Sequence, residues 1–193
     1  MNAMLMRVAG SDAVEVYTAG ERLIMFAIIP LIGIEMAVVS VAGAAYGGRH
    51  YDKLRVIHHF SILLGLVIAL CTSIITWLFS SQIASIFTYS VETAYLAPSI
   101  AAFLVVMCFF YPFLPPGMMS SSIFQGVGKG MTSFAITVLR ELVFVIIFAW
   151  IFGFVLGFGE LGIWWGITAG DILGCVVAYV WARTYFQRLR ANT

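Results

Sequence analysis

Charged side chains interrupt the long apolar stretches of this sequence: Glu35, the adjacent pair Arg140 and Glu141, and Asp171. Three of them, Glu35, Arg140 and Asp171, could take part in transport. A charge at the centre of a bilayer costs about 2.5–3.5 kcal/mol on insertion scales, so it must face protein or water, or be neutralised. Glu35 is therefore either a proton or cation relay or a neutral acid that bonds to a neighbouring helix. Asp171 and Arg140 form either a structural ion pair or part of a transport site. We predict that these three residues are candidates for transport or ion coupling.

Prolines are the second unusual feature of the apolar stretches. A proline inside a helix removes a backbone N–H group and clashes with the preceding turn, which leaves a carbonyl oxygen unpaired. In a membrane this oxygen must bind protein, water or an ion, so the proline marks either a static bend or a gating joint. The run YPFLPPG at residues 111–117 cannot form a regular helix. The five prolines that we predict to bend or gate helices are Pro30, Pro98, Pro112, Pro115 and Pro116.

Polar residues follow the proline run. Three consecutive serines precede Gln125, and the aromatic residues before the serines include Tyr111. Irregular, polar backbone at membrane depth is tolerated where it faces protein or a water-filled cavity. We therefore predict that this helix lines a cavity, with Tyr111, Ser121 and Gln125 among the lining residues.

No sequence pattern indicates catalysis. The chain has no HExxH, GxSxG or P-loop motif, and the glycines at residues 126–130 lack the P-loop spacing. His58 and His59 lie near a predicted membrane surface and are expected to contact solvent or lipid headgroups. We expect no enzyme, no metal site and no cofactor beyond a coupling ion. The cysteines lack metal-ligand spacing and are expected to pack as small apolar residues: Cys71, Cys108 and Cys175.

The composition is that of a membrane protein. Hydrophobic residues make up 62% and charged residues 10% of the 193 residues, whereas soluble domains carry about 25% charged residues. The apolar stretches are too long for the roughly ten-residue alternating strands of a membrane barrel. We therefore predict an all-α integral membrane protein with about five transmembrane helices. The predicted spans are residues 13–47, 54–79, 92–125, 131–154 and 162–181.

The distribution of basic residues predicts the orientation of the chain. Residues 1–12 are interpreted as the remnant of a preceding helix, residues 13–190 as the membrane domain, and residues 182–193 as a basic tail. Basic residues follow the first, third and fifth spans, whereas the connectors at residues 80–90 and 157–161 contain neither Lys nor Arg. The positive-inside rule then predicts a multi-pass cell-membrane protein with a cytoplasmic C-terminus. The net charge of +1 gives no indication of a nucleic-acid partner, and we expect none.

A ridge of small residues runs along the last span. Glycine at every fourth position lets a neighbouring backbone approach closely, so the ridge predicts a tightly packed helix pair. Asp171 lies about 100° from the ridge, on a face that it shares with Thr168 and Cys175. The ridge glycines are Gly162, Gly166, Gly170 and Gly174.

Three segments resemble one known family of transporters. Residues 30–55, PLIGIEMAVVSVAGAAYGGRHYDKLR, resemble the second helix and following loop of a lobe in multidrug and toxic compound extrusion (MATE) transporters. Residues 120–143 resemble the loop between the fourth and fifth helices of that lobe, and residues 161–183 resemble its final helix. The resemblance covers residues 13–190 and is closest to archaeal members.

The resemblance implies a twelve-helix protein with two six-helix lobes around a central cavity. This chain would be the second lobe without most of its first helix. The family exchanges Na⁺ or H⁺ for organic, often cationic, compounds by alternating access, so the implied function is a drug-exporting antiporter lobe. The implied partners are the lipid bilayer, small organic substrates, and an N-terminal lobe or a second copy that completes the cavity.

The sequence departs from the family at its coupling acids. Some members use acids on the first and fourth helices of this lobe, but the fourth helix here, residues 93–128, contains neither Asp nor Glu. Glu35 matches no family role, and Asp171 matches a position where the family often has an acid with a partly structural role. The alternatives are a non-transporting fragment or structural membrane subunit, and a lipid-linked oligosaccharide flippase. A flippase would need a more cationic cavity than Arg140 alone provides.

Overall fold

The computed structural model describes residues 1–88 and 94–191. Within these ranges five helical segments are long and apolar enough to cross a membrane, which confirms the predicted all-α class and number of spans. Position 92, where we placed the start of the third span, and residues 192–193 of the tail lie outside the described ranges. The segments, called spans 1 to 5, are Asn2–Gly47, Tyr51–Leu78, Ala94–Gly126, Gly130–Val155 and Gly159–Leu189.

Helix α1, Asn2–Gly47, forms span 1 and is interrupted near its start. Gly10 has φ 83° and ψ −163°, a conformation that glycine adopts readily because it has no Cβ atom. The residues before this break are helical and correspond to most of the segment interpreted as the remnant of a preceding helix. The backbone remains helical through Pro30, whose side chain is exposed. The interruption of α1 therefore lies at Gly10 and not at the proline.

Helix α2, Tyr51–Leu78, forms span 2 and follows a tight turn in which Arg49 adopts a φ of 57°. The connector that follows contains a short helix, α3, Ser80–Phe87. Helices α1 and α2 pack against each other, and both contact span 3.

Span 3 is broken where the prolines predict. It consists of α4, Ala97–Cys108, a 3₁₀ turn at Tyr111–Phe113, and α5, Leu114–Gly126. Pro98 and Pro115 lie in the first turns of α4 and α5, where the missing N–H group costs no helical hydrogen bond. Helix α5 contacts α1, α2 and the helices of spans 4 and 5, so it is the central helix of the fold.

Span 4 contains two π-helical turns that the apolar pattern does not reveal. Helix α6, Gly130–Val138, leads into a π turn at Leu139–Phe144. Helix α7, Val145–Trp150, leads into a second π turn at Ile151–Val155. Such turns widen a helix and are frequent at functional sites. The first π turn contains Arg140.

Helix α8, Gly159–Ala191, forms span 5 and lies with its glycine ridge on span 4. A Cβ atom on Gly166 would lie 2.5 Å from the Cα atom of Ala149, and one on Gly170 would lie 2.8 Å from the Cα atom of Val145. The two backbones are therefore in direct contact, as the ridge predicts. Large apolar side chains cover the outer surface of the lobe and suit contact with lipid.

Candidate functional site

The first π turn buries a cation between spans 4 and 5. The Arg140 side chain lies on Gly174 of the ridge, and the residue is only 8% exposed. Its Nη1 atom donates a hydrogen bond to the Cys175 sulfur over 3.6 Å. Its Nη2 atom pairs with the Glu141 carboxylate, which is 57% exposed and reaches out of the helix pair. The guanidinium is thus held between a buried thiol and a carboxylate at the surface of the lobe.

Asp171 lies close to this cation without touching it. The expected ion pair between Asp171 and Arg140 is not formed, because Arg140 pairs with its sequence neighbour Glu141 instead. The two groups nevertheless interact electrostatically, and Asp171 also acts on the Tyr17 hydroxyl of α1. Thr168 and Asp171 are one turn apart on α8, so the predicted polar face of this helix points towards α1.

A tyrosine–acid pair on α1, with the tyrosine buried and the acid exposed, lies near Asp171 and was missed by the sequence analysis. The Tyr17 hydroxyl donates to the Glu21 carboxylate one turn along α1. The Tyr17 ring packs edge-on against Phe103 of α4 at 5.8 Å, and Phe103 packs edge-on against Trp164 of α8 at 5.3 Å. The four-residue spacing of Tyr17 and Glu21 is a signal for this pair, but it does not reveal which helices the pair faces.

Glu35 approaches the same cation from the other half of α1. Its half-buried carboxylate interacts with the Ser122 hydroxyl of α5 and with the charges of Arg140 and Glu141. A Cβ atom on Gly43 would lie 3.1 Å from the Gly126 carbonyl oxygen, so α1 and α5 are close enough for this contact. The three predicted charged candidates therefore belong to one group. We call it the interior charge cluster: Tyr17, Glu21, Glu35, Arg140, Glu141 and Asp171.

The predicted bending prolines occupy different environments. Pro115 is buried against α2, where a Cβ atom on Gly65 would lie 2.9 Å from the Pro115 Cβ. Pro30 and Pro98 are exposed, and Pro112 and Pro116 are half-buried. Their roles as bends or gates stay predictions.

The predicted cavity-lining residues do not come together within this lobe. Ser121 is buried and shares hydrogen bonds with Ser133 at 2.7 Å and Thr137 at 3.3 Å, which join α5 to α6. Tyr111 is buried against Phe110, whereas Gln125 is exposed. A cavity-lining role for all three stays a prediction. Two surface grooves of the lobe are lined by residues other than these three. One is lined by Ser73, Ile74, Trp77, Cys108 and Phe109, and the other by Phe152, Phe158, Leu161, Gly162 and Trp165.

One histidine prediction is wrong. His58 is only 5% exposed, and its Nε2 atom lies 3.0 Å from the Ser120 hydroxyl. Its ring stacks on Tyr179 at 5.8 Å and packs against Phe186 at 5.2 Å, so α8 covers it from solvent and lipid headgroups. His59, the next residue, is exposed as expected.

The family of the chain follows from its sequence as a whole. The family model described as MatE matches residues 1–151, which is more than three quarters of the chain. This chain belongs to the MatE family. The match confirms the resemblance seen in the sequence and, with the five apolar spans, a multi-pass membrane protein.

The relatives that this chain matches are more than twice as long as the chain. The chain is similar to "Probable multidrug resistance protein YoeA" of Bacillus subtilis (strain 168), with 22% identity over 185 residues. This alignment covers 93% of the chain and 39% of the relative. The chain thus spans about two fifths of the length of the relative it matches, which agrees with half of a two-lobe protein.

Two solved MatE structures match the whole lobe in different states. One is titled an inward-facing conformation of a multidrug resistance MATE family transporter, with 33% identity and a TM-score of 0.96 over all of this chain and 44% of that one. The other is titled an outward-facing conformation, with 34% identity and a TM-score of 0.94 over 98% of this chain and 42% of that one. The fold of this lobe is therefore nearly the same in both.

Proposed function

We propose that this chain is one lobe of a cation-coupled antiporter that exports organic, drug-like compounds by alternating access. The observation that carries the proposal is the interior charge cluster. Its cation, Arg140, is buried inside a MatE lobe, and Asp171, the half-buried Glu35 and the exposed Glu141 surround it. Charges at such depth are costly and are typical of ion and substrate pathways.

The solved relatives support alternating access. The lobe matches an inward-facing and an outward-facing structure with TM-scores of 0.96 and 0.94. A lobe that keeps its fold in both states would move as a nearly rigid body against its partner. The partner would be an N-terminal lobe or a second copy of the chain, which would complete the central cavity.

The direct contact between spans 4 and 5 supports the same mechanism. Backbones that touch along the glycine ridge leave little room for deformation inside the lobe. The exposed Glu141 carboxylate and the half-buried Glu35 would then face the partner or the cavity, because lipid cannot solvate them. We further propose that the C-terminus is cytoplasmic, as the basic residues predict.

Drug export is favoured over the flippase alternative by the distribution of buried charge. A pyrophosphate headgroup calls for several cations, since phosphate groups are bound by clusters of Arg and Lys. In the part of the chain that the structure describes, Arg140 is the buried cation, and the other members of the interior charge cluster are acids or a tyrosine.

Accumulation of a fluorescent organic cation in cells tests the proposal. Cells that lack their own efflux pumps would express the protein in its native assembly, and ethidium fluorescence would report the internal concentration. We expect lower accumulation than in cells with an empty vector. Replacing Arg140 with Met should abolish this difference because it removes the buried charge. Arg183→Met, at an exposed position further along α8, is the matched control and should export normally. Accumulation equal to that of empty-vector cells, with the protein present in the membrane, would overturn the proposal.

A further inference from the structure

Four buried side-chain polar atoms on α8 have no hydrogen-bond partner in the described part of the chain: three lie near the start of the helix, and the fourth is the Tyr185 hydroxyl towards its other end. The Glu160 Oε1, Trp164 Nε1 and Thr168 Oγ1 atoms make no hydrogen bond within residues 1–88 and 94–191. Thr168 is 2% exposed and Trp164 is 3% exposed. An unpaired buried polar group is costly, so such groups in a native protein usually bind ordered water or another ligand. The three near the start of α8 therefore indicate hydrated space along that part of the helix.

The unpartnered groups form one line that leads to an acid. Residues 160, 164, 168 and 171 are spaced by four, four and three positions, which places them on one face of a helix. At 1.5 Å per residue the line is about 16 Å long, or half the thickness of a bilayer core. We call it the α8 polar face: Glu160, Trp164, Thr168 and Asp171. It points away from the glycine ridge and towards α1 and α4, as the Trp164 contact with Phe103 demonstrates.

Acidic residues surround the outer end of this line. Asp12 of α1 interacts electrostatically with Glu160, and Asp12 and Glu15 both act on Tyr95 at the start of span 3. Asp12 and Glu15 are exposed, whereas Glu160 is half-buried. A group of carboxylates at an opening raises the local concentration of cations, including protons.

The inner end of the line lies beside the interior charge cluster. Four titratable groups interact electrostatically with Asp171: Tyr17 of α1, Arg140 and Glu141 of span 4, and Cys175 of α8. Helix α5 contributes no ionisable side chain, and α4 contributes only a cysteine at its last residue. His58 of α2 meets α8 two turns further along, at Tyr179. Asp171 is therefore the carboxylate at which the line of unpartnered groups ends.

The arrangement fits a proton better than a metal cation. No three His, Cys, Asp or Glu side chains come together as a possible metal site in the described ranges. A sodium ion needs several oxygen ligands around one point, whereas a proton needs a single carboxylate and a chain of water.

We propose that the α8 polar face is a hydrated proton path that ends on Asp171. The Asp171 carboxylate accepts a proton from a hydronium ion in the path, which gives a neutral carboxylic acid and a water molecule, and the reverse step releases the proton. Thr168 relays through its hydroxyl, and Trp164 holds a water by donating its N–H. This inference rests on the proposed antiporter function and names the proton as the coupling ion.

Infrared spectroscopy of the native assembly in lipid tests the path without any transported substrate. A pH step should produce a carboxylic-acid C=O band that is absent in Asp171→Asn, because that substitution removes the proton acceptor. Transfer into deuterium oxide should shift this band, and Thr168→Val should slow the shift about tenfold, which is the scale of one hydrogen bond. Thr168→Ser, which keeps a hydroxyl, should restore the wild-type rate.

Matched controls lie on the same helix. Thr184→Val removes an exposed hydroxyl that bonds to the Trp181 carbonyl oxygen at 2.8 Å, and it should leave the exchange rate unchanged. Trp165→Phe removes an indole that lies about 100° around α8 from Trp164. This indole is 41% exposed and packs beside Phe109, so the substitution should also have no effect. Trp164→Phe, one residue away, should slow exchange. If Thr168→Val does not fold, Glu160→Gln at the outer end of the line takes its place in the same assay, and it should also slow the exchange.

The outcomes separate this inference from the proposed function. A band that persists in Asp171→Asn, or wild-type exchange in Thr168→Val and Trp164→Phe, overturns the path even if the protein exports drugs. The opposite result is also possible: the wild-type assembly exports nothing, the band is absent in Asp171→Asn, and exchange is slow in Thr168→Val. This result supports the proton path and overturns the antiporter. Drug export that requires a sodium gradient and ignores pH overturns the proton as the coupling ion.

Discussion

Two faces of helix α8 differ in how their atoms are packed and bonded. The glycine ridge removes side chains so that the backbones of spans 4 and 5 touch, and its atoms are packed against protein. The α8 polar face keeps side chains whose buried atoms have no protein partner. One face contributes rigidity, and the other holds polar groups that only water or a ligand can satisfy. In our proposal, mechanical stability and ion access therefore belong to different sides of one helix.

The largest expected effect on stability comes from a substitution that disrupts the packing of the glycine ridge. Gly166→Val would place a Cβ atom 2.5 Å from the Ala149 Cα, where backbone and not a flexible side chain must move. We expect the free energy of unfolding to fall by about 3 kcal/mol, the upper range for overpacking. Thermal unfolding in detergent, followed by tryptophan fluorescence, measures the loss.

Gly33→Val is the control for the ridge, because a Cβ atom on Gly33 of α1 meets nothing within 4 Å. It should melt close to the wild-type temperature. Equal melting temperatures for Gly166→Val and the wild type would mean that the ridge does not hold spans 4 and 5 together.

A smaller effect is expected where a buried hydroxyl does have partners. Ser121→Ala removes the bond to Ser133 and should lower the free energy of unfolding by about 1–2 kcal/mol, because the Ser133 hydroxyl loses its partner. The double variant with Ser133→Ala should recover part of the loss, since the buried Ser133 hydroxyl that lost its partner is then removed as well. Strictly additive effects of the two substitutions would contradict this bond.

The smallest effect on stability is expected on the α8 polar face. Thr168→Val conserves shape and removes a hydroxyl that bonds to no protein group in the described ranges, so the free energy of unfolding should change by less than about 0.5 kcal/mol. The same thermal assay measures it beside Ser121→Ala. A loss as large as that of Ser121→Ala would show that Thr168 serves packing, and the contrast between the two faces would fail.

The sequence predicted the fold well because its signals are local. The signals are five long apolar stretches, the prolines at residues 112–116 and the four-residue glycine spacing. The structure has five apolar spans, a break in span 3 at Pro112 and direct backbone contact along the glycine ridge. The π turns were missed because an extra residue in a helical turn leaves no mark on apolar composition. The connector at residues 80–90 contains a helix that its polarity concealed.

The candidate site was predicted in part. The depth of Arg140 and Asp171 in their spans was sufficient to place them near each other, but Arg140 pairs with Glu141, which is closer in sequence. The burial of His58 depends on how α8 packs over α2, which no local pattern reveals. Whether Thr168 has a partner is likewise a property of three-dimensional packing and not of sequence spacing.

Transport in proteoliposomes tests the central claim most directly. The native assembly would be reconstituted with a fluorescent organic cation, an internal pH dye and no sodium, and a pH gradient would then be imposed. We predict that the organic cation and protons move in opposite directions, and that Asp171→Asn abolishes both movements. Movement of the organic cation that is independent of both the pH gradient and an added sodium gradient would contradict a cation-coupled antiporter lobe.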